Sequence, residues 1–140
     1  MWKNRFISIA MICFFTESAP STGLTIDGQC VRVIDGDTIV VETRTQYHVR
    51  LIDCWAPESR TSDIAEKQRG LRSKNRMIQL AEGRAVRVSI PLTGDMTDVT
   101  SMSRVLGRVW LNVDGIPQAE DLSAVMVNEG LATKTKGAKE

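Results

Sequence analysis

The chain has 140 residues, of which 42% are hydrophobic and 25% are charged, and its formal net charge is +1. This length suits one domain with a single core, and the composition is that of an ordinary globular protein. A net charge so close to zero argues against a histone-like or coating protein, so any basic surface must be local.

The N-terminal segment has the pattern of a secretory signal. Lys3 and Arg5 precede an apolar run at 6–15 that is too short to span a bilayer comfortably. We therefore predict a signal peptide at 1–20, which places the mature protein in the periplasm or outside the cell, away from the membrane. An uncleaved N-terminal membrane anchor and a buried N-terminal segment are the alternatives.

Three short strands are predicted after a linker. Residues 21–28 are small and polar, which predicts the linker, and alternation from Cys30 to Ile34 predicts the first strand. The stretches 38–43 and 47–54 predict a second and a third strand, each after a tight turn. Strands connected this closely favour an antiparallel meander.

A helix follows the third strand. Asp63 and Glu66 have the spacing of a capping box, and apolar residues at helical spacing continue to Ala81, with Gly83 as the C-terminal cap. Gly70 weakens this pattern and predicts a loose first turn before a firm helix at 71–81. The basic residues of the helix indicate a solvated face, with phosphate binding as the alternative.

Two more strands and a last helix complete an order of elements that is typical of a barrel. Alternation predicts a fourth strand at 84–90 and a fifth at 104–113, with a loop between them and a last helix at about 121–129. This order predicts a mainly β fold with helices (α+β): a five-stranded OB-type barrel with one helix after strand 3 and one after strand 5. The barrel domain would span 29–133, and 134–140 would be a flexible tail.

The stretch 31–58 contains the strongest chemical signal. Asp35 and Asp37 flank a glycine between the first two strands, and carboxylate oxygens suit Ca²⁺ or Mg²⁺. Arg50 can match phosphate oxygens with its guanidinium, and Glu58 can take a proton from water. These residue types together suggest metal-assisted phosphodiester hydrolysis, although Asp35-Gly36-Asp37 alone would indicate only a hairpin turn.

Histidine and cysteine usage narrows the chemistry. His48 is the single histidine and lies in an alternating strand, which favours a surface position and argues against a histidine-based nuclease. Cys30 and Cys54 lack metal-binding spacing, and the sequence leaves open whether they form a disulfide.

Five motifs occur in the order found in the staphylococcal-nuclease-like (thermonuclease) family, which this chain resembles. They lie at 33–38, 49–58, 70–86, 106–109 and 126–132. The resemblance covers about 31–132 and implies a nuclease that cleaves DNA and RNA with one Ca²⁺ on an OB barrel.

Matched position by position, the resemblance implies a role for each candidate residue. Asp37 would be the first metal ligand, with Asp35 as an acidic group behind it. Arg50 and Arg108 would hold the phosphate and stabilise charge in the transition state. Glu58 would position or deprotonate the attacking water.

One position departs from the family pattern. Trp55 stands where the family usually has its second metal carboxylate. Ala56 can still offer its backbone carbonyl, and Asp53 would face the same side as residue 55 of an extended strand. We therefore expect a weakened Ca²⁺ site. Trp55 itself is predicted to be a core or rim aromatic, with base stacking as the alternative.

The sequence thus predicts an exported, monomeric, metal-dependent nuclease that acts on DNA, RNA or both. The alternative is a catalytically impaired OB module that binds nucleic acid or protein, because Trp55 replaces a metal carboxylate. A plain structural OB domain is the third possibility. Polymer preference and the choice between endo- and exo-action are left open.

Overall fold

The computed structural model describes residues 23–91, 100–101 and 104–137. The predicted signal peptide and most of the predicted loop between the fourth and fifth strands lie outside these ranges. Within them, no helix combines the length and apolar character needed to cross a bilayer.

Five of the seven strands close into a barrel. The strands are β1 (Gly23–Asp35), β2 (Thr38–Glu42), β3 (Gln46–Leu51), β4 (Ala85–Pro91), β5 (Thr100–Ser101), β6 (Arg104–Val113) and β7 (Ile116–Pro117). The hydrogen-bonded order is β3-β2-β1-β4-β6, and parallel pairing of Val49 with Val105 joins β3 to β6. The short strands β5 and β7 each pair with β6. This ring confirms the predicted OB-type barrel.

The first strand begins earlier than predicted, so the linker prediction at 21–28 is wrong from Gly23 onward. Residues 23–29 pair with 91–85 of β4 in antiparallel register. Ile26 packs against the core, while Asp27 Oδ1 lies 2.7 Å from Arg87 Nε on the exposed side. An antiparallel strand with one solvated face can be polar at alternate positions, which is why its composition resembles a linker.

Two helices pack beside the barrel, α1 (Ile64–Ala81) and α2 (Leu122–Asn128). Asp63 caps α1 as predicted, since its Oδ1 accepts hydrogen bonds from two backbone N–H groups of the first turn. Asp121 caps α2 in the same way. Helix α1 runs unbroken through Gly70, so the predicted loose first turn is wrong. Its buried residues share one face: Gly70, Ser73, Met77 and Ala81.

The core lies inside the barrel and beneath the helices. It includes the predicted inward residues of β4, which are Val86, Val88 and Ile90, and residues from every strand of the closed ring. Cys30 and Cys54 are buried free thiols within this core.

Candidate functional site

An open cavity of about 610 Å³ is bordered by the β1–β2 turn, β3 and the start of α1. Its wall contains the carboxylates of Asp37, Glu58 and Glu66 and the cations of Arg50, Arg69 and Lys136. Trp55 and Ala56 also line it. The fold therefore brings Asp37, Arg50, Ala56 and Glu58, four of the residues predicted from the sequence, to one cavity.

Asp37 is the anchored carboxylate of the cavity and is 7% exposed. Its Oδ1 accepts a hydrogen bond from the Thr38 hydroxyl at 2.9 Å, and its Oδ2 accepts one from the Ala56 backbone N–H at 3.2 Å. Arg50 Nη2 lies 3.6 Å from Oδ2. These donors compensate for the loss of water around the buried charge and fix the direction of the carboxylate.

Arg50 stands between Asp37 and an aromatic ring. The Arg50 guanidinium carbon lies 4.3 Å from the centroid of the Trp55 ring, which is within cation–π distance. The Lys136 ammonium lies 5.8 Å from the same centroid. Trp55 is fixed by two backbone hydrogen bonds with Thr133, at 2.8 and 3.0 Å. The half-buried indole is thus a wall of the cavity, in agreement with the predicted rim position.

Glu58 is exposed, and its carboxylate has no hydrogen-bond or ion-pair partner among the described residues. The loop that carries it is nevertheless held firmly. The next residue, Ser59, is buried and donates its hydroxyl proton to the Asp35 carboxylate. Asp35 does not line the cavity, so it acts on the site through this loop.

Arg108 lies in a second cavity of about 260 Å³. Its Nη1 donates to Asp121 Oδ2 at 3.0 Å, and its Nη2 donates to the Asp53 carboxylate. Burial works to lower the pKa of Arg108, but the hydrogen bonds to Asp121 and Asp53 outweigh it and raise that pKa. The structure therefore does not bring Arg108 to the cavity of Arg50 and Glu58.

Asp53 does not line the cavity of Asp37 and instead lines that of Arg108. The third strand ends at Leu51, so the predicted strand through residue 54 is wrong at its end. Asp53 follows in a turn with a φ of 54°, a left-handed conformation that aspartate tolerates. Residues 53 and 55 consequently do not share the face of an extended strand, and the Asp53 carboxylate pairs with Arg108. The geometric reason for predicting Asp53 as a metal ligand is lost.

Comparison with known proteins shows the family of this chain. A family model described as staphylococcal nuclease homologue matches residues 48–140. The chain belongs to the staphylococcal nuclease homologue family. Protein ParB of Escherichia coli is 35% identical over 109 residues, which are 75% of this chain and 55% of ParB. Micrococcal nuclease of Shigella flexneri is 34% identical over 109 residues, which are 75% of this chain and 56% of that protein. The chain thus spans about half the length of these relatives.

The side chains of this staphylococcal nuclease homologue do not fit a resident calcium ion. Ca²⁺ takes about six to eight oxygen ligands. The described ranges contain no group of three or more His, Cys, Asp or Glu side chains that could hold a metal ion. Each oxygen of Asp37 accepts one hydrogen bond and keeps one lone pair for a cation, but Trp55 contributes a ring where the resemblance implies a second carboxylate.

Several of the lining residues were not assigned to the site from the sequence, among them Glu66, Arg69, Thr133 and Lys136. Glu66 and Arg69 are three residues apart on α1 and therefore face the same side, a signal that the general charge pattern of the helix obscured. Thr133 and Lys136 lie in the C-terminal segment that reaches the cavity through the backbone pairing with Trp55. No local motif marks a contact between residues so far apart in the chain. Asp121, the partner of Arg108, was predicted only as a helix start.

Proposed function

We propose that this protein hydrolyses phosphodiester bonds of nucleic acid in the cavity that contains Asp37, Arg50 and Glu58. One observation supports the proposal most directly. Glu58, an exposed carboxylate, and Arg50, an oriented guanidinium, line the same open cavity in a staphylococcal nuclease homologue. A base for water and a cation for phosphate are the minimum that this reaction requires.

Each residue has a defined part in the proposed reaction. Glu58 takes a proton from a water molecule as the water oxygen forms a bond to phosphorus. The bond from phosphorus to the ester oxygen breaks, and that oxygen takes a proton from solvent water as it leaves with the product strand. Arg50 donates hydrogen bonds to the non-bridging oxygens, whose negative charge is stabilised in the transition state. Asp37 orients Arg50 across the 3.6 Å ion pair.

Arg69 and Lys136 complete the electrostatics of the cavity wall. Both are cationic and line the same cavity as Arg50. Positive charge on a concave wall attracts a polyanion and raises its local concentration. These two residues therefore favour binding of the phosphate backbone beside the reacting group.

Several finer parts of the resemblance stay predictions. Arg108 would have to leave Asp53 and Asp121 before it could contact a phosphate at Arg50. The proposed steps do not depend on Ca²⁺, and an ion anchored by Asp37 alone would bind weakly. Export from a signal peptide at 1–20 and the monomeric state also stay predictions.

The proposal is tested by incubating the full chain with single-stranded DNA and with RNA, in Ca²⁺ or in chelator. Glu58→Gln and Arg50→Ala should each slow cleavage by about 100-fold or more, because each removes a catalytic group. Glu120→Gln and Arg84→Ala are matched controls at exposed positions outside the described cavities, and they should leave cleavage unchanged. Cleavage by Glu58→Gln at the wild-type rate would contradict the proposal.

A second candidate is an OB module that binds nucleic acid without cleaving it. It is favoured by the Trp55 ring, which lies 4.3 Å from Arg50 in the place of the implied metal carboxylate. Aromatic rings beside cations stack on bases of single strands. This candidate predicts oligonucleotide binding that is independent of Ca²⁺ and yields no products, so the same assay separates the two.

A further inference from the structure

A third open cavity is lined by cations. It has a volume of about 760 Å³, and its lining includes Arg32, Arg60, Lys74, Arg104 and His48. No aspartate or glutamate is among the lining residues that the structure describes. The cavity shares no lining residue with the Arg50–Glu58 cavity.

The register of the barrel explains why these side chains converge. Arg32 pairs with Val40 across β1 and β2, and Val40 pairs with His48 across β2 and β3. Val49 pairs with Val105, so the preceding residue Arg104 lies beside His48. Residues in one row of a sheet have side chains on the same face. Lys74 from α1 and Arg60 from the preceding loop complete the ring of charge.

The residues that the structure describes do not neutralise the charge of this cavity. Among the described residues, Arg32, Arg60 and Lys74 form no ion pair, whereas Arg50, Arg76, Arg87 and Arg108 all do. The whole chain has a formal net charge of only +1, so four arginine and lysine side chains around one cavity are a local concentration of positive charge. Like charges held together repel each other, and a ligand of opposite charge relieves that repulsion.

We propose that this basic cavity binds backbone phosphates of the same nucleic-acid strand that enters the Arg50–Glu58 cavity. The inference rests on the proposed function for its substrate. His48 and Arg50 are two residues apart on β3, so their side chains leave the same face about 7 Å apart. Ser59, whose hydroxyl is hydrogen-bonded to Asp35, separates two further lining residues. Glu58 on one side of it lines the Arg50–Glu58 cavity, and Arg60 on the other side lines the basic cavity.

A nucleic-acid strand fits this arrangement better than a single small anion. Each strand of a duplex carries one phosphate per about 3.4 Å of helix axis, and an extended single strand spaces its phosphates more widely, so a backbone that leaves Arg50 reaches the basic cavity within a few nucleotides. Arginine and lysine bind such phosphates without reading the bases. The cavity would therefore strengthen the binding of long substrates and leave the chemistry of a short one unchanged.

The test compares two triple variants of the full chain, each in a Glu58→Gln background that slows cleavage during the binding measurement. Arg32→Gln, Arg60→Gln and Lys74→Gln together should weaken binding of a single-stranded DNA of about 20 nucleotides by tenfold or more, measured by fluorescence anisotropy. The slope of log affinity against log salt should become shallower by about 2, because each lost single-strand phosphate contact removes about 0.7. Each single variant should change the slope by about a third of this amount.

The control triple variant is Arg44→Gln, Lys67→Gln and Arg84→Gln, which removes the same charge from exposed positions outside the described cavities. It should leave the slope nearly unchanged. Equal losses in the two triple variants would overturn the inference, because net charge alone would explain them. Loss of binding to phosphatidylserine vesicles with unchanged DNA binding would also overturn it, in favour of a membrane surface.

A small phosphodiester reporter separates this inference from the proposed function. Bis(p-nitrophenyl) phosphate has a single phosphodiester group, so a molecule that reacts in the Arg50–Glu58 cavity has no second phosphate for the basic cavity. The basic-cavity triple variant with intact Glu58 should therefore hydrolyse it at the wild-type rate. If the wild type cleaves neither reporter nor DNA, the proposed function fails, and the binding comparison still decides the inference. Circular dichroism of every variant checks that the fold is intact.

Discussion

Among single residues, Trp55 determines most directly what the candidate active site can bind. Its ring covers Arg50 at 4.3 Å, and its position is the one where the resemblance implies a carboxylate. We expect Trp55→Asp to increase the stimulation of DNA cleavage by Ca²⁺, because it adds an anionic oxygen ligand near Asp37. The measurement is the cleavage rate of single-stranded DNA across a Ca²⁺ titration.

The matched control for this substitution is Trp55→Asn, which has nearly the same shape as aspartate without its charge. Both variants lose the indole and keep the backbone pairing with Thr133. A rise in Ca²⁺ stimulation in both variants would show that removal of the ring, and not the new carboxylate, is responsible.

Arg108 is a second residue whose surroundings change its expected role. Its side chain is 41% exposed and is held by Asp53 and Asp121. We therefore expect Arg108→Ala to slow cleavage less than Arg50→Ala does, since Arg50 alone of the two lines the cavity with Glu58. Loss of such an exposed pair should change the free energy of unfolding by about 1 kcal/mol or less.

Rates of the two arginine variants under identical conditions decide this point. Asp53→Asn is an informative companion, because it removes one carboxylate charge from Arg108 without removing the guanidinium. If Arg108→Ala is as slow as Arg50→Ala, Arg108 must leave its carboxylates during the reaction, as the resemblance implies.

At the scale of elements, helix α1 positions the loop that carries Glu58. A Cβ at Gly70 would lie 2.5 Å from the Glu58 backbone oxygen and 2.7 Å from the Ser59 nitrogen. The absence of a side chain at this position allows the loop to pack directly on the helix. Close packing of the loop thus favours glycine at position 70, despite the low helix propensity of that residue.

Substitution of Gly70 separates helix propensity from site geometry. Alanine would favour an isolated helix by about 1 kcal/mol, but here its Cβ must displace backbone atoms of 58–59. We expect Gly70→Ala to reduce both cleavage and thermal stability. Gln68→Ala, at an exposed position of the same helix, should affect neither. A more stable and fully active Gly70→Ala would show that the loop moves freely.

The sequence predicts elements well where local signals are strong. β6 occupies the predicted 104–113, because alternating residues are followed by an Asp114-Gly115 turn in which both φ values are positive. The carboxylate cap at Asp63 is equally local. The proximity of Asp37, Arg50 and Glu58 at one cavity was also predictable, because the β1–β2 turn and β3 lie close together along the chain.

Contacts between distant parts of the chain were not predictable in this way. The pairing of Trp55 with Thr133 and the contacts of Arg108 with Asp53 and Asp121 depend on how the closed barrel meets its C-terminal segment. The turn at Asp53 also escaped prediction, since one left-handed residue is enough to end an alternating pattern. Periodicity therefore identified the elements, whereas barrel closure decided which side chains meet.

For the whole molecule, the two buried thiols make the free energy of unfolding depend on pH. Burial raises the pKa of the Cys30 thiol from 9.0 to about 11 and that of the Cys54 thiol from 9.0 to about 12. Above pH 9 the unfolded chain releases thiol protons that the folded chain keeps. The folded state then binds more protons, so the free energy of unfolding decreases as pH rises.

We therefore expect each protonated buried thiol to make its full contribution to the free energy of unfolding below pH 9. That contribution should be lost as pH rises to about 11 for Cys30 and about 12 for Cys54. Within this window each thiol should contribute a slope of about 1.4 kcal/mol per pH unit. Urea unfolding with a reductant, between pH 8 and about pH 10.5, measures the slope. The free energy of unfolding of Cys54→Ala should decrease less steeply with pH than that of wild type. Lysines titrate equally in both proteins, so they do not affect this comparison. A Cys54→Ala slope equal to that of wild type would show that Cys54 can ionise within the folded chain.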